Sequence, residues 1–429
     1  EVINLSHIVA KEAFKSLEDR LNKFPQGVPP SETLYKILSV LYTEEEAALV
    51  AKLPIRPFNI SMASKIWNVS LSEAEFMLES LASKALILDT EYNGERKFVI
   101  PPPMAGFFEF ALMRVRGDID QKLLSKLFYQ YLNVEEDFIK DLFLGTETRF
   151  GRVLISEDIL PETIASTPTP ENSLYILDYE RATYLIKNAK HISLSMCYCR
   201  HKMHHLGKDC SKPMDTCLTF DSTAYSLIKN GYGRKIDSSE CIDILNMCYE
   251  NNLVQCGENV RNEIGFLCNC CCCCCEGLKA VKKYGALHPI ATTNFLPYVN
   301  NDSCIGCGKC TKICPIEVIS LKNKKASIDE SICLGCGVCV RNCTTKAIKL
   351  KTRSQRILTP ANTTHRVIIQ AIEKGNLQNL IFDNQAFASH RFMASVLSTI
   401  LNANPIKQAL ASKQFKSIYL DKLISKKYK

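Results

Sequence analysis

The chain has 429 residues, 46% of them apolar and 23% charged, which is enough to bury cores in several domains and too apolar for a disordered polymer. It has no run of about 18 apolar residues and no basic-then-apolar leader, which argues against a spanning protein and a secretory precursor. The net charge of +8 gathers at one end: residues 351–429 carry 13 Lys/Arg against 3 Asp/Glu, whereas residues 1–100 carry 11 against 14.

After a short amphipathic lead, the pattern predicts helices at 34–42 and 44–53, ended by Pro54 and Pro57. A turn over 61–69 leads into a helix at 71–86, where Leu71, Ala74, Leu78 and Leu81 recur at helical spacing. Strands at 88–92 and 97–100 flank Asn93-Gly94, a strong hairpin signal. This order resembles a winged helix-turn-helix domain, and Pro101-Pro102-Pro103 closes it, giving a first domain at 1–105. A connector at 106–190 follows. Its part up to residue 160 reads as helical, with Phe107, Phe108 and Phe110 early and Leu123, Leu124, Leu127 and Phe128 later, and the Pro- and Thr-rich stretch 161–170 reads as an exposed loop. An αβ pattern comes next: helix 179–187, strand 191–199, and helices 222–229 and 238–250 separated by Gly231 and Gly233. The expected class is α+β, multidomain: a winged-helix-like front, an α/β cysteine-rich domain at 191–295, a duplicated segment at 296–352 and a basic helical tail at 353–429 broken near Gly375 and Pro405.

Cysteine is the unusual component, with 22 residues. Contiguous cysteines such as Cys270 to Cys275 make poor disulfide partners, because a disulfide needs separated, correctly aimed Cβ atoms. Ligand-like spacing without a leader reads as metal binding in a reducing, cytoplasmic compartment. Cys304, Cys307, Cys310 and Cys314 recur 29 positions later as Cys333, Cys336, Cys339 and Cys343. Gly306, Gly308, Ile319 and Leu321 find counterparts in Gly335, Gly337, Ile348 and Leu350. In each C-x2-C-x2-C-x3-C run, three thiolates come from one tight loop whose glycines let the backbone approach a cluster. In paired runs the fourth cysteine serves the other cluster. One set is therefore Cys304, Cys307, Cys310 and Cys343, and the other is Cys333, Cys336, Cys339 and Cys314. The segment resembles a bacterial-type two-cluster ferredoxin domain, which implies two [4Fe-4S] clusters. Thr344 stands where that family has proline, which removes a turn constraint but no ligand. Structural zinc, the competing reading, rarely shows this doubled rhythm.

Outside the repeat, Cys197, Cys199, Cys210, Cys217, Cys268, Cys270, Cys271, Cys273 and Cys274 are metal-ligand candidates. Cys197 and Cys199 lie two apart on an expected strand, with both thiols on one face. The first four are expected to share an iron–sulfur cluster. Two other readings stand beside this one: a four-thiolate structural zinc, or a single cluster of unusual shape between this set and the 268–275 run, as in cysteine-rich disulfide-reducing subunits. Six consecutive cysteines cannot all face one site. Cys241, Cys248 and Cys256 read as small apolar core residues, and His201, His204 and His205 as a solvated turn. The whole pattern resembles a family of bacterial and archaeal iron–sulfur proteins. The segments that carry the likeness are Cys197-Tyr-Cys-Arg-His-Lys202, Cys210, Cys217, Cys268-Asn-Cys-Cys271, Cys273 to Cys275 and Ile381-Phe-Asp-Asn-Gln385. The resemblance implies ferredoxin-like electron carriage with no assigned substrate. The family has glycine where Cys272 stands, which leaves Cys272 outside the ligand set.

The would-be recognition helix at 72–84 carries Glu73, Glu75 and Glu79 against one lysine. That charge argues against nucleic acid, although a redox-sensing DNA-binding regulator is one reading of the domain order. The apolar stretch 392–401 followed by Lys422, Lys426, Lys427 and Lys429 suits peripheral contact with an anionic membrane, or an acidic partner. No dinucleotide fingerprint, radical-SAM loop, haem motif or phosphate loop is present, so the chain lacks its own hydride or phosphate chemistry. The expected function is electron transfer within a larger anaerobic redox complex, with a flavoprotein or other oxidoreductase subunit as partner and one or two further clusters in the cysteine-rich domain. A catalytic subunit that reduces thiol–disulfide substrates is the alternative.

Overall fold

A computed structural model describes residues 2–92, 94–155, 159, 181–353, 359–382 and 388–402. A long helix, Val2–Leu21, precedes four shorter ones, Glu32–Leu41, Glu44–Val50, Ile60–Trp67 and Leu71–Ser83. Thr43 and Ser70 each form a reciprocal capping box, with Glu46 and Glu73, so two of these starts are written locally in the sequence. Strands β1 (Leu88–Tyr92) and β2 (Glu95–Val99) pair antiparallel as expected. The helices near 34–42, 44–53 and 71–86 and the hairpin form as expected, but a helix, Ile60–Trp67, stands where a turn was expected, and the amphipathic lead is a 20-residue helix.

The connector departs from the expectation. Helices Gln121–Tyr129 and Asp137–Leu144 form, but β3 (Gly151–Val153) is a fully buried strand. A strand of three residues, Gly-Arg-Val, is too short to show any period, and the buried Arg152 at its centre gives no sign of a strand. β3 opens a six-stranded sheet with β4 (Ile192–Met196), β5 (Asp215–Phe220), β6 (Arg234–Ile236), β7 (Val254–Glu258) and β8 (Phe266–Cys270). The order is β3-β7-β8-β5-β4-β6, and every neighbouring pair is antiparallel. The α/β expectation for this domain is thus corrected. Its helices do not carry the chain across to parallel neighbours; only β4/β5 and β7/β8 are consecutive strands lying side by side, and the other connections cross to antiparallel positions elsewhere in the sheet.

Beyond the sheet, β9 (Phe295–Val299) pairs with β12 (Ile348–Thr352), and these enclose the hairpin β10 (Ile319–Lys322) and β11 (Lys325–Ile328). The chain continues through helices Thr363–Lys374, Leu377–Ile381 and Ala388–Asn402, the first closed by Gly375 at φ +70°. Arg366 on the first helix pairs with Glu258 at the end of β7 at 2.8 Å, both nearly buried. The loop at 161–170, most of the Ile381–Gln385 motif, Pro405 and the terminal lysines lie outside the described residues. Among the described residues no helix is long and apolar enough to cross a membrane.

Candidate metal centre

The antiparallel register writes a row of sulfurs across three strands. Cys256 on β7 lies directly opposite Cys268 on β8, and Cys217 on β5 hydrogen-bonds Cys268 from the other side. Cross-strand partners share a sheet face, and Cys270, two residues on, shares it too. Between them, Asn269 accepts from Gln255 at 3.0 Å and donates to the Thr216 carbonyl at 2.9 Å, which fixes the alignment of the three strands.

Two helix starts complete the enclosure. β4 ends at Met196, whose N–H is diverted to the Met113 carbonyl, and Cys197 becomes the N-cap of helix Tyr198–His205. Cys199 therefore sits in a first helical turn, correcting the reading that put both cysteines on one strand. Opposite, Cys275 is the N-cap of helix Glu276–Tyr284. Cys197, Cys199, Cys217, Cys256, Cys268, Cys270, Cys271 and Cys275 all line one cavity of about 90 Å³. Cys256, read as plain core, and Cys275, omitted from the ligand candidates, are both part of it.

The thiols act on one another. Cys199 is held well below the usual thiol range by hydrogen bonds from Cys197 and Cys275, and Cys268 likewise by Cys217 and Cys270. Their donors Cys197 and Cys217 are pushed up by the same contacts. Arg200 is buried; it donates to the Asn269 carbonyl at 3.0 Å and to the Thr216 hydroxyl, while its Nε has no hydrogen-bond partner. Glu109 also lines the cavity, where burial, reinforced by Cys268 and Cys199, drives its carboxyl well above the ordinary value. Lys202, fully buried, pairs with Glu276. His201 is buried against the Leu112 carbonyl at 2.8 Å, which corrects the solvated reading for that residue, whereas His204 is exposed and meets Asp209 at 3.0 Å.

Cys210 does not join Cys197, Cys199 and Cys217, as expected from the sequence. It lies with Cys271, Cys273 and Cys274, their sulfurs all within 4.8 Å of one another. The Cys274 thiol and backbone N–H hold Cys271 down to about 4, with the Arg200 charge adding to the effect. Cys272 is exposed and outside both groups. Cys241 and Cys248 are fully buried on helix Ser238–Glu250, as expected for core residues.

In the duplicated segment, Gly306, Gly308, Gly335 and Gly337 have φ of +69°, +73°, +72° and +78°. These left-handed residues curl each cysteine loop before the short helices Lys309–Ile313 and Val338–Arg341. Cys304, Cys307 and Cys343 all act on the Cys310 thiol, and Cys314, Cys333, Cys336 and Cys339 line a cavity of about 20 Å³. Residues 303–347 match the 4Fe-4S dicluster domain. Over 28 residues the chain is 57% identical to Ferredoxin-2 of Desulfomicrobium norvegicum, a stretch covering 6% of this chain and 48% of that protein. The chain thus spans about half the length of this curated relative. No solved structure matches it.

The dicluster domain packs directly on the cysteine-lined cavity. Leu334 and Val338 share one core with Cys256, Cys270, Leu278 and Val281. Asn342 donates to the Asn252 side chain at 2.6 Å and Arg341 to the Tyr249 carbonyl at 3.2 Å. Burial pushes the Cys336 thiol up, and Cys256 is among the neighbouring thiols that add to the shift.

Proposed function

We propose that the chain is an iron–sulfur electron carrier in which the two clusters of the dicluster domain work with a further cluster held by the sheet cysteines. The proposed ligands are Cys304, Cys307, Cys310 and Cys343 for one cluster and Cys314, Cys333, Cys336 and Cys339 for the other. Cys197, Cys199, Cys217, Cys256, Cys268, Cys270 and Cys275 supply the donors of the third. The donor set suits such a group: eight thiols line one cavity, Cys271 among them, and a buried guanidinium with an unsatisfied Nε lies beside them. When bound, these clusters supply one-electron transfer, with potentials set by thiolate ligation, amide hydrogen bonds and burial. The residues of the chain do the rest: the glycine loops present amides, the apolar core around Leu334 and Val338 excludes water between the centres, and Arg200 offsets negative charge. The observation that carries the reading is this convergence of thiols on one cavity, in a core shared with Leu334 and Val338 of the dicluster segment. The partner would be a protein, such as a flavoprotein or another oxidoreductase subunit, because the sequence carries no dinucleotide-binding fingerprint.

The deciding experiment is iron and acid-labile sulfide per chain in anaerobically prepared protein, with EPR of the dithionite-reduced state. Eleven or more irons, about eight from the dicluster domain and the rest from the cavity, are expected. About eight would confine redox chemistry to residues 303–347 and remove the third cluster; fewer than about eight would remove the carrier reading altogether.

Glu109 favours a second reading, reduction of a disulfide at the cavity. A disulfide takes up two electrons and two protons to give two thiols; reduced clusters would supply the electrons and solvent the protons, with the Glu109 carboxyl on the cavity wall, where burial favours its protonated form, placed to relay one of them. Reduced protein mixed with excess small-molecule disulfide should then be oxidised in step with thiol release. Protein that stays reduced would rule this out and leave electron carriage standing.

A further inference from the structure

Four cysteines gather beyond the sheet row, and one of them, Cys271, also reaches the cavity wall. Cys210 lies in the loop after helix Tyr198–His205, and Cys271, Cys273 and Cys274 lie in the turn that follows β8. The sulfurs of Cys210 and Cys271 are 3.8 Å apart, those of Cys210 and Cys274 3.8 Å, and those of Cys273 and Cys274 3.7 Å. Four sulfurs bonded to one ion at about 2.3 Å in a tetrahedron stand about 3.8 Å from one another. A cubane needs more room, because each thiolate sits outside its own iron. The same molecule supplies the contrast: among the described residues, no three of the eight dicluster-domain sulfurs lie within the 4.8 Å that encloses all four of these.

We propose that Cys210, Cys271, Cys273 and Cys274 bind a single tetrahedral metal ion, zinc(II) or mononuclear iron(II), separate from every cluster. Cys271 and Cys274 form a C-x2-C chelate in which the Cys274 N–H bonds the Cys271 sulfur, a turn that presents two thiolates to one ion. Four thiolates and a divalent ion leave two negative charges. Arg200 faces Cys271, and Lys279 is close enough to Cys274 to feel its charge. Met203, Cys248 and Leu253 form an apolar floor beneath Cys271 and Cys274. With all four positions filled by protein, the site is closed and structural. It ties the loop after one helix to the turn before another, and those helices begin at Cys197 and Cys275, which flank the cavity. The inference does not depend on electron transfer; a single ion would be needed whatever the cavity holds.

The test measures zinc, iron and acid-labile sulfide in the full chain, prepared anaerobically, for wild type and for Cys210→Ser, Cys273→Ser and Cys272→Ser. Cys210→Ser and Cys273→Ser should each lose one equivalent of metal and no sulfide, while Cys272→Ser keeps the wild-type content. X-ray absorption on the wild type needs no variant. Four sulfurs at about 2.3 Å around zinc identify zinc; a mononuclear high-spin iron signal that disappears in Cys210→Ser identifies iron. Loss of several irons together with sulfide would overturn the proposal in favour of a cluster. So would wild-type protein that contains neither zinc nor mononuclear iron.

Discussion

Among single residues, Lys202 makes the clearest demand on the fold. Its ammonium is fully buried, paired with Glu276, near the Asn133 amide at 3.3 Å and 5.9 Å from the rings of both Tyr129 and Tyr198. It also lowers the Cys199 thiol, after the stronger effects of Cys197 and Cys275. Removing one partner of a buried pair leaves the other uncompensated. Lys202→Met should therefore destabilise the protein by about 3–5 kcal/mol, and adding Glu276→Leu should recover part of that loss. Anaerobic urea unfolding of the two variants checks this. Equal loss in both would mean that the packing of Lys202, and not its charge, is what matters. Nothing in the spacing of Lys202 pointed to Glu276, because the pair joins two helices far apart in the chain.

At the scale of elements, loops whose chemistry is local were legible from the sequence, and contacts set by strand register were not. The dicluster loops announce themselves because ligand spacing and left-handed glycines lie within one short segment. Gly335 and Gly308 separate two demands made on such glycines. Both have positive φ, but a Cβ at Gly335 would stand 2.2 Å from the Phe295 carbonyl oxygen, whereas at Gly308 the nearest atom is 3.6 Å away. Gly308→Ala should cost about 1–2 kcal/mol of left-handed strain and keep its iron. Gly335→Ala must move backbone, and roughly four irons should be lost. Iron per chain distinguishes these outcomes. The sulfur row on β5, β8 and β7 was hidden for the opposite reason. Cys256 meets Cys268 only once the strands have chosen their register, so Cys256 looked like any small core residue. The end of β4 was missed because no glycine or proline marks it, and β3 because its three residues are all buried.

At the scale of the molecule, the front hairpin is pinned to the cysteine-rich domain by one carboxylate. Asp89 on β1 is buried and accepts from Ser226 at 2.8 Å and Asn230 at 2.9 Å, and it pairs with Lys229. Burial works to raise its carboxyl, but Lys229, Ser226 and Asn230 outweigh it and hold the group below its ordinary value. A carboxylate depressed on folding stabilises fully above its unfolded value, near 3.9, and loses that contribution as the pH falls toward the folded value. Acid unfolding should therefore begin to draw on this contact below about pH 4. Asp89→Asn should lower stability at pH 7 by about 1–3 kcal/mol and flatten that part of the acid profile. An unchanged profile would mean that the hairpin is held by its apolar contacts alone. This contact could not be read from the sequence, since Asp89 and Lys229 carry no signal linking them.

The cysteines of the cavity come from five separate stretches of chain, at Cys197–Cys199, Cys217, Cys256, Cys268–Cys271 and Cys275, whereas all dicluster cysteines fall between residues 304 and 343. The sheet cysteines have no common address until β5, β8 and β7 have closed. Under the proposed function, the late segment would load its iron first and the central cavity last, with the cavity's thiols crowded and unprotected in the interval. A brief exposure to oxidant in that interval would then harm the central cavity far more than the same exposure afterwards.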